Sequence, residues 1–130
     1  MENSGTLTAE NCIFSHAPVT VLGNATFRDC TFTDSDCAVT LKEHGTAALI
    51  GCKGYRLTEG IRQESDGDLT LSDCRIAAGT VLNQTGSGVT SVSGGAYAGT
   101  TYGCYVVDGT LTLFGVQVGC LPSDSIRMEY

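Results

Sequence analysis

Gly67-Asp68-Leu69-Thr70-Leu71-Ser72-Asp73-Cys74-Arg75-Ile76 decides the fold, because the chain repeats this phrase with variations six times. The opening glycine recurs as Gly5, Gly23, Gly45, Gly67, Gly88 and Gly109, at intervals of 18, 22, 22, 21 and 21 residues. Seven positions after each stand Cys12, Cys30, Cys52, Cys74, Gly95 and Val116. One position earlier the column reads Asn11, Asp29, Gly51, Asp73, Gly94 and Gly115. A fixed period of about 20 residues is the mark of a solenoid, in which each repeat stacks on its neighbour.

Within a repeat the polarity alternates. Leu7 and Ala9, Ala25 and Phe27, Ala47 and Leu49, Leu69 and Leu71, Thr90 and Val92, and Leu111 and Leu113 are expected inward. Thr8, Thr26, Thr70 and Thr112 are expected outward. A period of two predicts a strand. Asn, Asp and Gly tolerate a left-handed backbone, so their shared column predicts a sharp bend on every coil.

A second strand follows, with Cys12 and Phe14, Cys30 and Phe32, Cys74 and Ile76, and Val116 and Val118 inward. In the Gly45 coil, Gly54 stands where Phe14 aligns, which predicts a bulge. A third strand carries Val19 and Val21, Val39 and Leu41, Ile61, Val81, then Cys104 and Val106 inward. Polar loops such as Gln63-Glu64-Ser65-Asp66 and Asn83-Gln84-Thr85 return the chain.

The expected fold is therefore all-β: a right-handed parallel β-helix of about six coils of 18–22 residues, with three short strands per coil. Residues 1–130 read as a single β-helix domain, with repeats over about 5–119 and 120–130 as a C-terminal cap or tail. GDLTLSDCRI, with its echoes GTLTAENCIF at Gly5–Phe14 and GNATFRDCTF at Gly23–Phe32, resembles the repeat of the pectin-lyase-like superfamily. The resemblance covers nearly the whole chain and implies architecture. The superfamily spans polysaccharide lyases, hydrolases, tailspikes, adhesins and scaffolds, so it does not select a function.

Charge narrows the field. A net charge of −7 argues against phosphate-mediated nucleic-acid binding and permits a basic protein partner. No apolar run is long enough to span a membrane. MENSGTL lacks the features of a signal peptide, so a cytoplasmic location with reduced cysteines is expected. Four of the seven cysteines share one coil position, which is a core-stacking pattern, and no CxxC pair suggests zinc. No metal or other cofactor is expected.

Candidate functional residues fall in two groups. Leu82, Tyr105, Val107, Phe114 and Ile50 are expected to face outward and form an apolar interaction patch, with Ile50 two coils before Phe114. Lys53 and Arg75, with Asp29 and Asp73, are the alternative glycan site, because family lyases resemble one another in pairing basic residues with acids. Asp29 and Asp73 occupy a column that needs such residues for its bend, so no catalytic residue is assigned. His16 and His44 read as surface histidines without a partner.

The first coil has only four residues before it, an exposed end that invites stacking on another chain. The expected function is a non-catalytic protein-interaction or self-assembly module, with a protein partner or a second copy of itself. A viral or mobile-element inhibitor of a host protein and a phage structural subunit both fit. The alternative is a small carbohydrate-binding or polysaccharide-lyase-like protein.

Overall fold

The computed structural model describes residues 2–120 and 126–128. Among them there is no helix, and every paired strand runs parallel to its neighbours. On the first face the strands Thr6–Glu10, Asn24–Arg28 and Thr46–Ile50 stack in register. The starts of Leu69–Gln84 and Val89–Val106, and then Thr110–Phe114, continue that stack. The last two long strands turn the corner without a break, so one segment serves the second and third faces as well. The third face begins with Glu2–Asn3 on Val19–Val21 and ends with Ile126–Met128 on Cys104–Val106. The expected cap over 120–130 falls mostly on 121–125 and 129–130, outside the described residues.

Two glycine requirements set the period. A Cβ on Gly67 would lie 2.5 Å from the Gly45 carbonyl oxygen, so the backbone can approach the preceding rung this closely only without a side chain. The bend column is left-handed throughout: φ is 54° at Asn11, 52° at Asp29, 64° at Gly51, 52° at Asp73, 69° at Gly94 and 61° at Gly115. A second left-handed column, not expected from the sequence, carries His16, Asp34 and Arg56 at the next corner, with φ of 54–56°.

The core is built of stacked columns. Phe27, Leu49, Leu69 and Leu71 are fully buried, as expected. Phe14 stacks on Phe32 at 5.0 Å, and Phe27 meets both rings edge-on. One rung on, Gly54 takes the aromatic position, and the register shifts between Gly54 and Leu57 as the predicted bulge requires. That shift turns Leu57 inward over Gly54, where it fills the space an aromatic fills below.

Three inward assignments differ from expectation. Cys12 is exposed, because it stands on the first rung of its corner and only the next rung, through the Thr31 amide, covers it. Leu82 is buried and pairs with Ile61 and Cys104, so the outward position on its rung is Asn83. Val81 and Leu82 both turn inward at the corner, and the register slips between Gly99 and Tyr102 on the next rung.

The third difference concerns Gln63 and Gln84, expected in solvated loops but fully buried. They continue the inward column of Val21 and Leu41 and lead to Val106. The Gln84 amide donates to the Asp108 and Thr110 carbonyls at 3.0 and 3.2 Å, and its oxygen accepts from the Thr90 hydroxyl. Gln63 accepts from the Ser65 amide and hydroxyl and donates to the Gly67 carbonyl. Each glutamine thus ties its strand to the return loop from inside, which satisfies the buried polar groups.

Candidate functional site

The five-residue apolar patch does not assemble. Leu82 lies in the core. Ile50 is half-buried, and Ser72 and Ser93 separate it from Phe114 in their shared column, so the two stand three rungs apart. Phe114 is 76% exposed. Tyr105 is half-buried on the third face against Tyr102, their ring centres 5.0 Å apart, and Val107 is half-buried just beyond that strand.

The alternative glycan residues divide into two. Asp29 and Asp73 sit at exposed left-handed corners, and each carboxylate leans over the glycine of the next rung. Lys53 and Arg75 are direct register neighbours on the second face, both exposed. They line a concavity of about 800 Å³ together with Tyr55, Ala77, Ala96, Ala98 and Val118. No carboxylate lines it among the described residues. A smaller hollow of about 310 Å³ shares Ala77 and Ala98 and extends the concavity toward Gly79 and Thr100.

The shape follows from side-chain size. Outward positions on two successive rungs carry Ala77 and Ala98, whereas the rung before them carries Tyr55. The floor is therefore low and the Tyr55 wall is high. Arg56 fixes that wall: its guanidinium is 5.1 Å from the centre of the Tyr55 ring and forms a two-pronged pair with Asp34 at 2.7 and 3.0 Å. The Arg56 hydrogen bond, followed by that from Thr33, holds the Asp34 carboxyl below its ordinary range. The Asp34 carboxylate is thus spent on positioning Arg56.

The remaining charges are arranged along rungs as well. His44, expected without a partner, faces Asp66 one coil on at 2.8 Å, and that hydrogen bond raises its pKa. On the third face Arg62 is clamped to Glu59 at 2.7 Å, and Asn83 donates to the same carboxylate. Among the described residues no cluster of three His, Cys, Asp or Glu side chains is placed to hold a metal ion.

Stacked parallel strands, a cornered coil and an apolar interior of aligned side chains define the chain as a β-solenoid. A family model described as the right handed beta helix region matches residues 1–120, and the chain belongs to that family. No curated protein and no solved structure matched it.

Proposed function

We propose that this chain is a non-catalytic β-solenoid interaction module that binds a protein through the concavity on its second face. One observation carries the reading: the acids and bases that acid–base chemistry would need are kept apart. Asp29 and Asp73 are spent on corner geometry, while Lys53 and Arg75 line the concavity without a carboxylate beside them. General acid–base catalysis requires such groups within hydrogen-bond reach of one reacting centre. The apolar floor supports protein binding, because exposed apolar concavities tend to mark contact surfaces. The free thiols of Cys30, Cys52, Cys74 and Cys104 support work in a reducing compartment such as the cytosol.

The test of the non-catalytic reading is incubation with polyuronic acids and neutral oligosaccharides. New reducing ends and the absorbance of unsaturated uronates are measured. No turnover above a heat-denatured control is expected. Turnover that disappears in Arg75→Ala or Asp73→Asn overturns the reading.

A second reading, glycan binding in the same concavity, is favoured by Tyr55 standing beside Lys53 and Arg75. Oligosaccharide affinity that is lost in the Lys53→Ala/Arg75→Ala double variant would establish it in place of the first.

A further inference from the structure

We propose, resting on the protein-binding reading above, that the second-face trough takes an extended acidic peptide segment of about four residues. Its carboxylates would meet Lys53 and Arg75, and an aliphatic side chain would lie on Ala77 and Ala98.

The charges point to the sign of the occupant. Lys53 and Arg75 face the same way from adjacent rungs, and neither has an ion-pair partner among the described residues. Like charges directly opposite one another on a sheet are destabilising, so this placement costs the fold stability and returns none. Elsewhere Arg56 has Asp34, Arg62 has Glu59 and His44 has Asp66, while Arg28 stands between Glu10 and Ile50 in its column, so Lys53 and Arg75 are set apart by being two cations on adjacent rungs. With only seven Lys and Arg against fourteen Asp and Glu, two adjacent unpaired cations mark a site for an external anion. The overall negative charge does not forbid this, because at physiological salt charges beyond about 8 Å are largely screened.

The floor points to a peptide. Ala77, Ala96, Ala98 and Val118 offer no polar side-chain atom, and the backbone groups beneath them are engaged in sheet pairing. Sugar hydroxyls would find few partners there, whereas an aliphatic side chain gains by leaving water. Dimensions limit the length. From Arg75 to Gly79, within one continuous strand, the trough runs about 13 Å, at about 3.3 Å per residue, so roughly four extended residues fit. The occupant lies on the face of a sheet whose strands are already paired, so its side chains carry the binding.

The probe is a yeast-displayed library of random heptapeptides, sorted against the folded protein at about 0.15 M salt. Enriched peptides are expected to combine Asp or Glu with Leu, Ile or Val. Their affinity should fall at least tenfold in Lys53→Ala/Arg75→Ala. Ala98→Phe, which fills the floor from an exposed position and leaves both charges, should also weaken binding at least tenfold. Circular dichroism and the thermal midpoint of each variant confirm that it has folded.

Enrichment without acidic bias overturns the proposal, as does acidic binding that survives both variants. Acidic peptides that survive both variants but are displaced by another surface substitution, such as Arg28→Ala, leave the protein-binding reading standing and remove only the trough. Failure to enrich any peptide, together with oligosaccharide binding that depends on Lys53 and Arg75, removes both.

Discussion

The Oδ1 atom of Asp73 occupies the space that a Cβ at Gly94 would need, one rung away at the same corner. The same relationship holds between Asp29 and Gly51, where a Cβ would lie 2.7 Å from the carboxylate oxygen. Both glycines are left-handed, at 69° and 64°. Where Asp and Gly alternate down this column, the missing Cβ on the glycine rung leaves the acid room to lean over the corner.

Gly94→Ala should cost about 1–2 kcal/mol from the left-handed backbone, with only a small addition for turning the exposed Asp73 carboxylate aside. In an Asp73→Gly background that addition is gone, and the cost of Gly94→Ala should stay within about 1 kcal/mol of its value beside Asp73. Denaturant unfolding of the four proteins of this cycle measures the difference. A cost that falls by more than about 2 kcal/mol in that background would mean that the carboxylate is held in place and itself imposes the glycine.

Gln84→Leu keeps the shape of the side chain but strips donors from the Asp108 and Thr110 carbonyls and an acceptor from the Thr90 hydroxyl. It should destabilise the protein by about 2–4 kcal/mol, the cost of several buried polar groups losing one partner. Gln84→Glu should be worse at pH 7 than at pH 5. Burial raises the folded pKa of the new carboxyl, so the penalty fades as falling pH protonates it. A thermal midpoint for Gln84→Glu that does not move between these pH values would contradict the buried ladder.

For His44, the Asp66 hydrogen bond followed by its charge raises the pKa above 6.5. Because the folded value lies above the unfolded one, this pair contributes its stability fully below about pH 6.5 and loses it as pH rises through the folded value. Both groups are exposed, so the effect on unfolding should be small. A proton-NMR titration should place the His44 midpoint above 6.5 and return it toward 6.5 in Asp66→Asn.

Thiol chemistry tests the stacking of the core. Burial pushes up the Cys30 and Cys37 thiols and raises Cys104 to about 11. The hydrogen bond to Cys74, with burial behind it, holds the Cys52 thiol protonated. A maleimide at pH 7 should label exposed Cys12 within minutes and reach Cys30, Cys52, Cys74 and Cys104 only after denaturant is added. Peptide mapping by mass spectrometry reads the order, and labelling of Cys52 or Cys74 at the rate of Cys12 would contradict it.

The solenoid was legible because one physical demand recurs at one spacing. The Gly67 column needs a missing Cβ, the Asp73 column needs a left-handed bend, and both demands restrict residue type strongly enough to show in a single chain. Leu82 was misplaced because its neighbour Val81 also turns inward at the corner, whereas the count of two from Cys74, Ile76 and Ala78 runs on through Leu82 to Gln84. Gln63 and Gln84 looked solvated because they are polar, although their spacing continues Val21 and Leu41 and runs on to Val106. The trough was the least legible feature. It exists because Ala77 and Ala98 are small beside Tyr55, and an alanine facing outward from a strand carries no motif. The column neighbours Lys53 and Arg75 were the one part of it visible beforehand.

The most direct test of the account is an amide NMR titration of the protein with an acidic peptide enriched from the library. The account predicts shift changes concentrated at 53–57, 75–79 and 96–100, with the Asp29 and Asp73 corners unmoved beyond their immediate neighbours. Changes centred on those two corners or on the first face, with 77 and 98 undisturbed, would contradict it.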